Sequence, residues 1–95
     1  MGYKYAMIGS LAFHEKDSME RLRKYASEGW LLEDIVLGGF FYKLRKDKPQ
    51  NLVYSLDYKT NVDEEYFSIF EEAGWKKVLS KGDYEHIFSA PEGTK

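Results

Sequence analysis

The stretch Glu28-Gly29-Trp30 returns 45 residues later as Ala73-Gly74-Trp75. Ahead of the first copy, Met19, Leu22, Tyr25 and Ala26 recur at intervals of three and four, so one stripe of a helix faces a core. Ahead of the second, Val62, Tyr66, Ile69, Phe70 and Ala73 do the same, and Phe67 widens the stripe. A glycine after the last periodic residue ends a helix in the left-handed conformation, where a side chain would cost energy. The spacing therefore predicts a helix over 17–28 and a second that Gly74 ends. Asp17 with Glu20 three residues on resembles a capping box. Asn61 is the expected cap of the second helix, with Asp63, Glu64 and Glu65 in a first turn whose dipole favours negative charge.

Working outward from the two helices, the flanking segments read as strands. Residues 3–13 alternate loosely, Tyr3, Tyr5 and Met7 on one face and Lys4, Ala6 and Ile8 on the other. A polar break, His14-Glu15-Lys16-Asp17, follows. Trp30–Leu37 and Phe40–Arg45 form a hairpin that turns at Gly38-Gly39. Residues 46–51 are turn-rich. Leu52–Lys59 alternates cleanly, with Leu52, Tyr54, Leu56 and Tyr58 against Val53, Ser55, Asp57 and Lys59. Trp75–Ser80 and Tyr84–Ser89 make a last hairpin across Lys81-Gly82-Asp83.

Each half thus reads strand–helix–strand–strand. Leu22, Tyr25, Gly29 and Trp30 match Phe67, Phe70, Gly74 and Trp75 at a constant offset, and Gly39 matches Gly82. The expected fold is α+β, a mostly antiparallel sheet built from two such repeats with both helices on one face. Ferredoxin-like topology with added strands is a related arrangement. Residues 1–90 are read as a single domain and 91–95 as a disordered tail.

Composition bounds the function. The chain of 95 residues is 43% hydrophobic and 17% aromatic, which is globular and holds one modest core. Net charge is -2 and the isoelectric point about 5.7, which speaks against nucleic acid as a partner. Residues 1–48 carry nine Lys/Arg against seven Asp/Glu, and residues 49–95 five against nine. The two halves differ in sign, which favours packing of one on the other or head-to-tail self-association, although two solvated faces would look the same. With no cysteine there is no disulfide, thiolate nucleophile or cysteine metal site, as suits a reducing cytoplasmic setting. No apolar run reaches membrane-spanning length and no signal-like apolar segment follows Met1, so no membrane association is expected.

The combination of Gly29-Trp30-Leu31, Gly39-Phe40-Phe41-Tyr42, Lys48-Pro49, Tyr54-Ser55-Leu56-Asp57-Tyr58, Tyr66 with Phe70, Ala73-Gly74-Trp75, and Tyr84 with Phe88 resembles the uncharacterised bacterial family DUF2812. The likeness runs from about Asp17 to Phe88. Relatives in that family often carry transmembrane helices after this domain, and this chain has none. Ser55 stands where the family pattern has an arginine, so no anion contact is carried over. The resemblance implies a fold neighbourhood and no activity.

Residue chemistry adds little toward catalysis. His14 has Glu15 and Asp17 nearby but no metal-ligand spacing, and Gly38-Gly39 fits neither phosphate-loop pattern. Glu33-Asp34 are strand neighbours that point to opposite faces and so cannot share a proton; a small bulge or turn accounts for them. Asp57 is expected either to face solvent or to pair with Lys43 or Arg45, and His86 to be half-buried beside Tyr84 and Phe88. No nucleophile–base pair, metal set or cofactor motif appears, so the expectation is a non-enzymatic module with no cofactor. Large apolar groups fall on both faces of the central strands, and two helices cover only one. The other face calls for a second copy or a protein partner. The alternative is a small-ligand sensor with an aromatic pocket between helices and sheet. Tyr42, Tyr54, Asp57, Tyr58, Tyr84 and His86 are the candidate ligand or partner surface.

Overall fold

The computed structural model of the chain describes residues 2–7, 15–82 and 84–93. Its elements are β1 (Tyr3–Met7), α1 (Glu15–Ser27), β2 (Trp30–Val36), β3 (Phe41–Lys46), β4 (Leu52–Tyr58), α2 (Glu64–Glu72), β5 (Lys76–Lys81) and β6 (Glu85–Pro91). The class is α+β, and each half runs strand–helix–strand–strand. The six strands form two antiparallel three-stranded sheets, ordered β1-β3-β2 and β4-β6-β5. In both, the last strand of the half lies between the other two.

The two sheets match in register as well as in order. Leu31 lies opposite Arg45 as Lys76 lies opposite Ser89, at the same step beyond Trp30 and Trp75. Tyr3 then meets Arg45 as Tyr54 meets Ser89, so Tyr3 and Tyr5 hold the places of Tyr54 and Leu56. The register shift between Leu32 and Asp34 recurs between Lys77 and Leu79. Of the bulge or turn that the Glu33-Asp34 pair suggests, the chain takes the bulge.

One core joins the sheets. From the first sheet come Ala6, Leu32, Ile35, Tyr42 and Leu44; from the second, Tyr54, Leu56, Leu79 and Ile87; α1 completes it with Met19, Leu22 and Ala26. His86 and Phe88 alternate with Ile87 along β6, so they point to the opposite face of the second sheet. There Phe70 of α2 stacks on Phe88, ring centroids 3.9 Å apart and planes 6° from parallel. The helices therefore do not lie side by side on one face. The physical reason is that β6 is apolar on both sides, Ile87 and Phe88 being equally buried, and needs a cover on each.

Helix ends differ from the sequence reading in instructive ways. α1 begins at Glu15, which places Asp17 inside the first turn rather than at the cap. The cap of α2 is Asp63, whose carboxylate accepts the Tyr66 N–H at 3.2 Å. Asn61 instead takes a left-handed conformation (φ 54°) in the turn before it. Ile69 does not join the inward stripe of α2 but is 61% exposed, while Tyr66, Phe67 and Phe70 face the sheet. β6 extends to Pro91, and Glu92 bonds through its N–H to the Asn51 carbonyl and through its carboxylate to Arg23. His14, Ile8 and Asp83 lie outside the described residues.

Candidate interaction surface

The six residues singled out in the sequence separate into three places. Tyr42 and Tyr54 are core. Burial raises the pKa of both phenols; Tyr42 lies next to Ser18 of α1, and the Tyr54 hydroxyl reaches the main chain of Leu32. The Tyr42 hydroxyl has no partner at hydrogen-bonding geometry among the described residues. Tyr58 and Tyr84 stack at the exposed end of β4, ring centroids 6.1 Å apart. Asp57 and His86 come together beneath α2, opposite each other in register.

That third place is a satisfied polar cluster. The Tyr66 hydroxyl donates to Asp57 Oδ2 at 2.5 Å, so the partner of Asp57 is a phenol of α2 and not Lys43 or Arg45. His86 is 1% exposed. Its Nε2 lies 2.9 Å from the Lys59 carbonyl, which can only accept, so Nε2 carries the proton. The other ring nitrogen, Nδ1, lies 2.8 Å from the Ser80 hydroxyl. Beside the ring a recess of about 270 Å³ is lined by Asn61, Val62, Phe67, Lys77 and Ser80. Asp57, Tyr66, Ser80 and His86 are each already engaged with a partner inside the protein. Among the described residues no three His, Asp or Glu side chains are grouped to hold a metal ion.

The outer face of the first sheet is different. Alternation turns Tyr3, Tyr5 and Met7 of β1 away from the core, and they are 51%, 54% and 65% exposed. Met7 lies in register with Phe41, and Phe41 with Val36, which leads into the exposed Leu37 and Phe40 of the β2–β3 turn. Five of the eight large exposed hydrophobic residues of the described chain thus belong to this sheet and its turn. Contiguous apolar surface of this kind marks an interaction site, whereas scattered exposed residues do not.

Charges frame the apolar centre. Lys43 sits over the Tyr3 ring, 4.4 Å from its centroid, and pairs with Glu33 at 3.3 Å. Arg45 pairs with Asp47 at 3.1 Å. Asp34 meets Lys81 at 3.1 Å and accepts the Ile35 N–H. Partial burial alone would raise the Asp34 pKa, but the Ile35 N–H and Lys81 together hold it below the usual carboxylate range. Tyr3, Tyr5 and Met7 were read as one strand face in the sequence, yet not as the binding face. Their alternation with Lys4 and Ala6 does not say which side the helix takes.

Against known proteins, the profile of a family described as a protein of unknown function (DUF2812) matches residues 14–95. The chain belongs to the DUF2812 family. No curated protein and no solved structure matches it. For this DUF2812 domain the family confirms the neighbourhood that the spaced aromatics and glycines implied and assigns no activity. No helix among its described residues is long and apolar enough to cross a membrane.

Proposed function

We propose that this DUF2812 domain is a non-enzymatic interaction module that associates with copies of itself through the outer face of its first sheet. The observation that carries the reading is the exposed row Tyr3, Tyr5 and Met7 beside Phe41 on a sheet whose other face is already core. Each half runs strand–helix–strand–strand, and among the described residues the second sheet is covered on both sides while the first is covered on one. The polar cluster beneath α2 favours the alternative sensor reading less, because Asp57 and His86 are paired within the protein.

Solution mass by light scattering, followed over a hundredfold range of concentration, tests the reading. Association predicts a mass that rises above the monomer as concentration increases. A mass fixed at the monomer value over the whole range would sink it.

A further inference from the structure

The two halves of the chain meet in one particular way. The inner face of the second sheet, with Tyr54 and Leu56 on β4, packs on the shared core where α1 runs alongside, as Met19, Leu22 and Ala26 show. The counterpart of that face in the first half is the outer face of the first sheet, because Tyr3 and Tyr5 occupy the places of Tyr54 and Leu56. The counterpart of α1 is α2. Within one chain, then, the helix of the first half receives the sheet of the second. The helix of the second half receives no sheet, and the sheet face of the first receives no helix among the described residues.

Charge distinguishes these two unmatched ends. The outward side of α2 presents Glu65, Ile69 and Glu72 at positions i, i+4 and i+7, all exposed, with Glu64 and Glu71 beside them. No basic residue stands in its last turn. Glu71 and Glu72 therefore sit at the negative end of the helix dipole, a placement that disfavours the isolated helix and that an external cation would relieve. The outer face of the first sheet supplies Lys43 and Arg45 around an apolar centre, Lys43 held by Glu33 and the Tyr3 ring and Arg45 by its ion pair with Asp47. Exposed ion pairs contribute little to stability and exchange partners readily. Ile69 is the apolar residue that such a centre would take.

We infer that α2 of one copy docks, through Glu65, Ile69 and Glu72, on the Tyr5–Met7 face of the first sheet of another copy. The contact is head-to-tail and uses two different patches, so it builds a closed ring or an open chain of copies and not a two-fold dimer. It rests on the self-association reading above and adds the identity of the second surface.

Two double variants of the full chain test it, Tyr5→Gln with Met7→Gln on the sheet and Glu65→Lys with Glu72→Lys on the helix, their folds checked by circular dichroism. Should the sheet pair cost the fold, Met7→Asp alone replaces it, since Met7 is 65% exposed. Each variant alone is expected to lose association. An equimolar mixture is expected to form a species of two chains and nothing larger, because only one competent sheet and one competent helix remain. A helix variant that associates like the parent chain would overturn the inference and leave sheet-on-sheet self-association standing. A mixture that stays monomeric would overturn it as well. A parent chain that never associates removes the inference and the function proposed above together.

Discussion

Tyr66 of α2 and Asp57 of β4 share a hydrogen bond of 2.5 Å across the helix–sheet interface. It is the polar anchor of a helix none of whose residues is fully buried, and the stacked Phe70–Phe88 pair is its apolar counterpart. α2 is thus held by a few specific contacts on one side while its acidic side stays free.

Replacing Tyr66 by Phe leaves the Asp57 carboxylate half-buried and without its phenol. Hydrogen bonds to charged groups are worth about 1.5–3 kcal/mol, and partial exposure brings the expected loss to about 1–2 kcal/mol in urea unfolding. The bond also has a pH signature. Burial first, then the Asp57 bond and charge, raise the Tyr66 pKa above its ordinary 10.0. Folding retains a proton that the unfolded chain gives up, so this contribution is complete below about pH 10 and is lost as the pH climbs toward the folded value. Stability measured above pH 10 should fall less steeply in Tyr66→Phe than in the parent. Equal slopes would mean the phenol is not held as described.

Phe88 is fully buried between the sheet and Phe70. Truncation to alanine opens a cavity on the α2 side and should cost about 3–5 kcal/mol. The specific consequence lies in α2. Hydrogen exchange of the amides in 64–72 should accelerate more than that of α1, because α1 is anchored in the core on the opposite face of the second sheet. Uniform acceleration across both helices would show that the two faces of the second sheet are not independent.

Two glycines with the same φ of 92° separate conformational cost from collision. A Cβ at Gly29 would stand 2.8 Å from the Asp47 carbonyl oxygen, a backbone atom that itself belongs to a residue bonded to Gly29. At Gly39 the same Cβ meets nothing within 4 Å. Gly39→Ala should therefore show only the left-handed penalty of about 1–2 kcal/mol. Gly29→Ala should cost clearly more. Similar losses in urea unfolding would mean that the loop carrying Asp47 yields without penalty.

The order of elements was legible because its signals are local. Gly29 and Gly74 end helices, Gly38-Gly39 turns a hairpin, and the period shifts from helix to strand at each Gly-Trp. What sequence alone leaves open is which side of a strand meets which layer. Ile87 and Phe88 read as equally apolar, so nothing in β6 told the core face from the α2 face. For the same reason the sequence pattern puts both helices on one face of one sheet, where the fold separates them. The exposed row of Tyr3, Tyr5 and Met7 was visible as a pattern, but its exposure depends on α1 packing against Ala6 and Tyr42. Asp57 was legible as an unusual charge; its partner Tyr66 was hidden within a stripe that reads as purely apolar.

The start of α2 gives a last discrimination between residues two positions apart. Asp63 caps the helix by accepting the Tyr66 N–H, and its negative charge also favours the N-terminal end of the dipole. Asp63→Ala should cost about 1 kcal/mol. Asn61 lies before the cap at φ 54°, a conformation glycine takes without steric penalty. Asn61→Gly should be neutral or gain up to about 1 kcal/mol, whereas a capping role would make it the costly change. Thermal and urea unfolding of the two variants decide between the assignments. If Asn61→Gly proved the more damaging, the helix would begin where the sequence alone suggested.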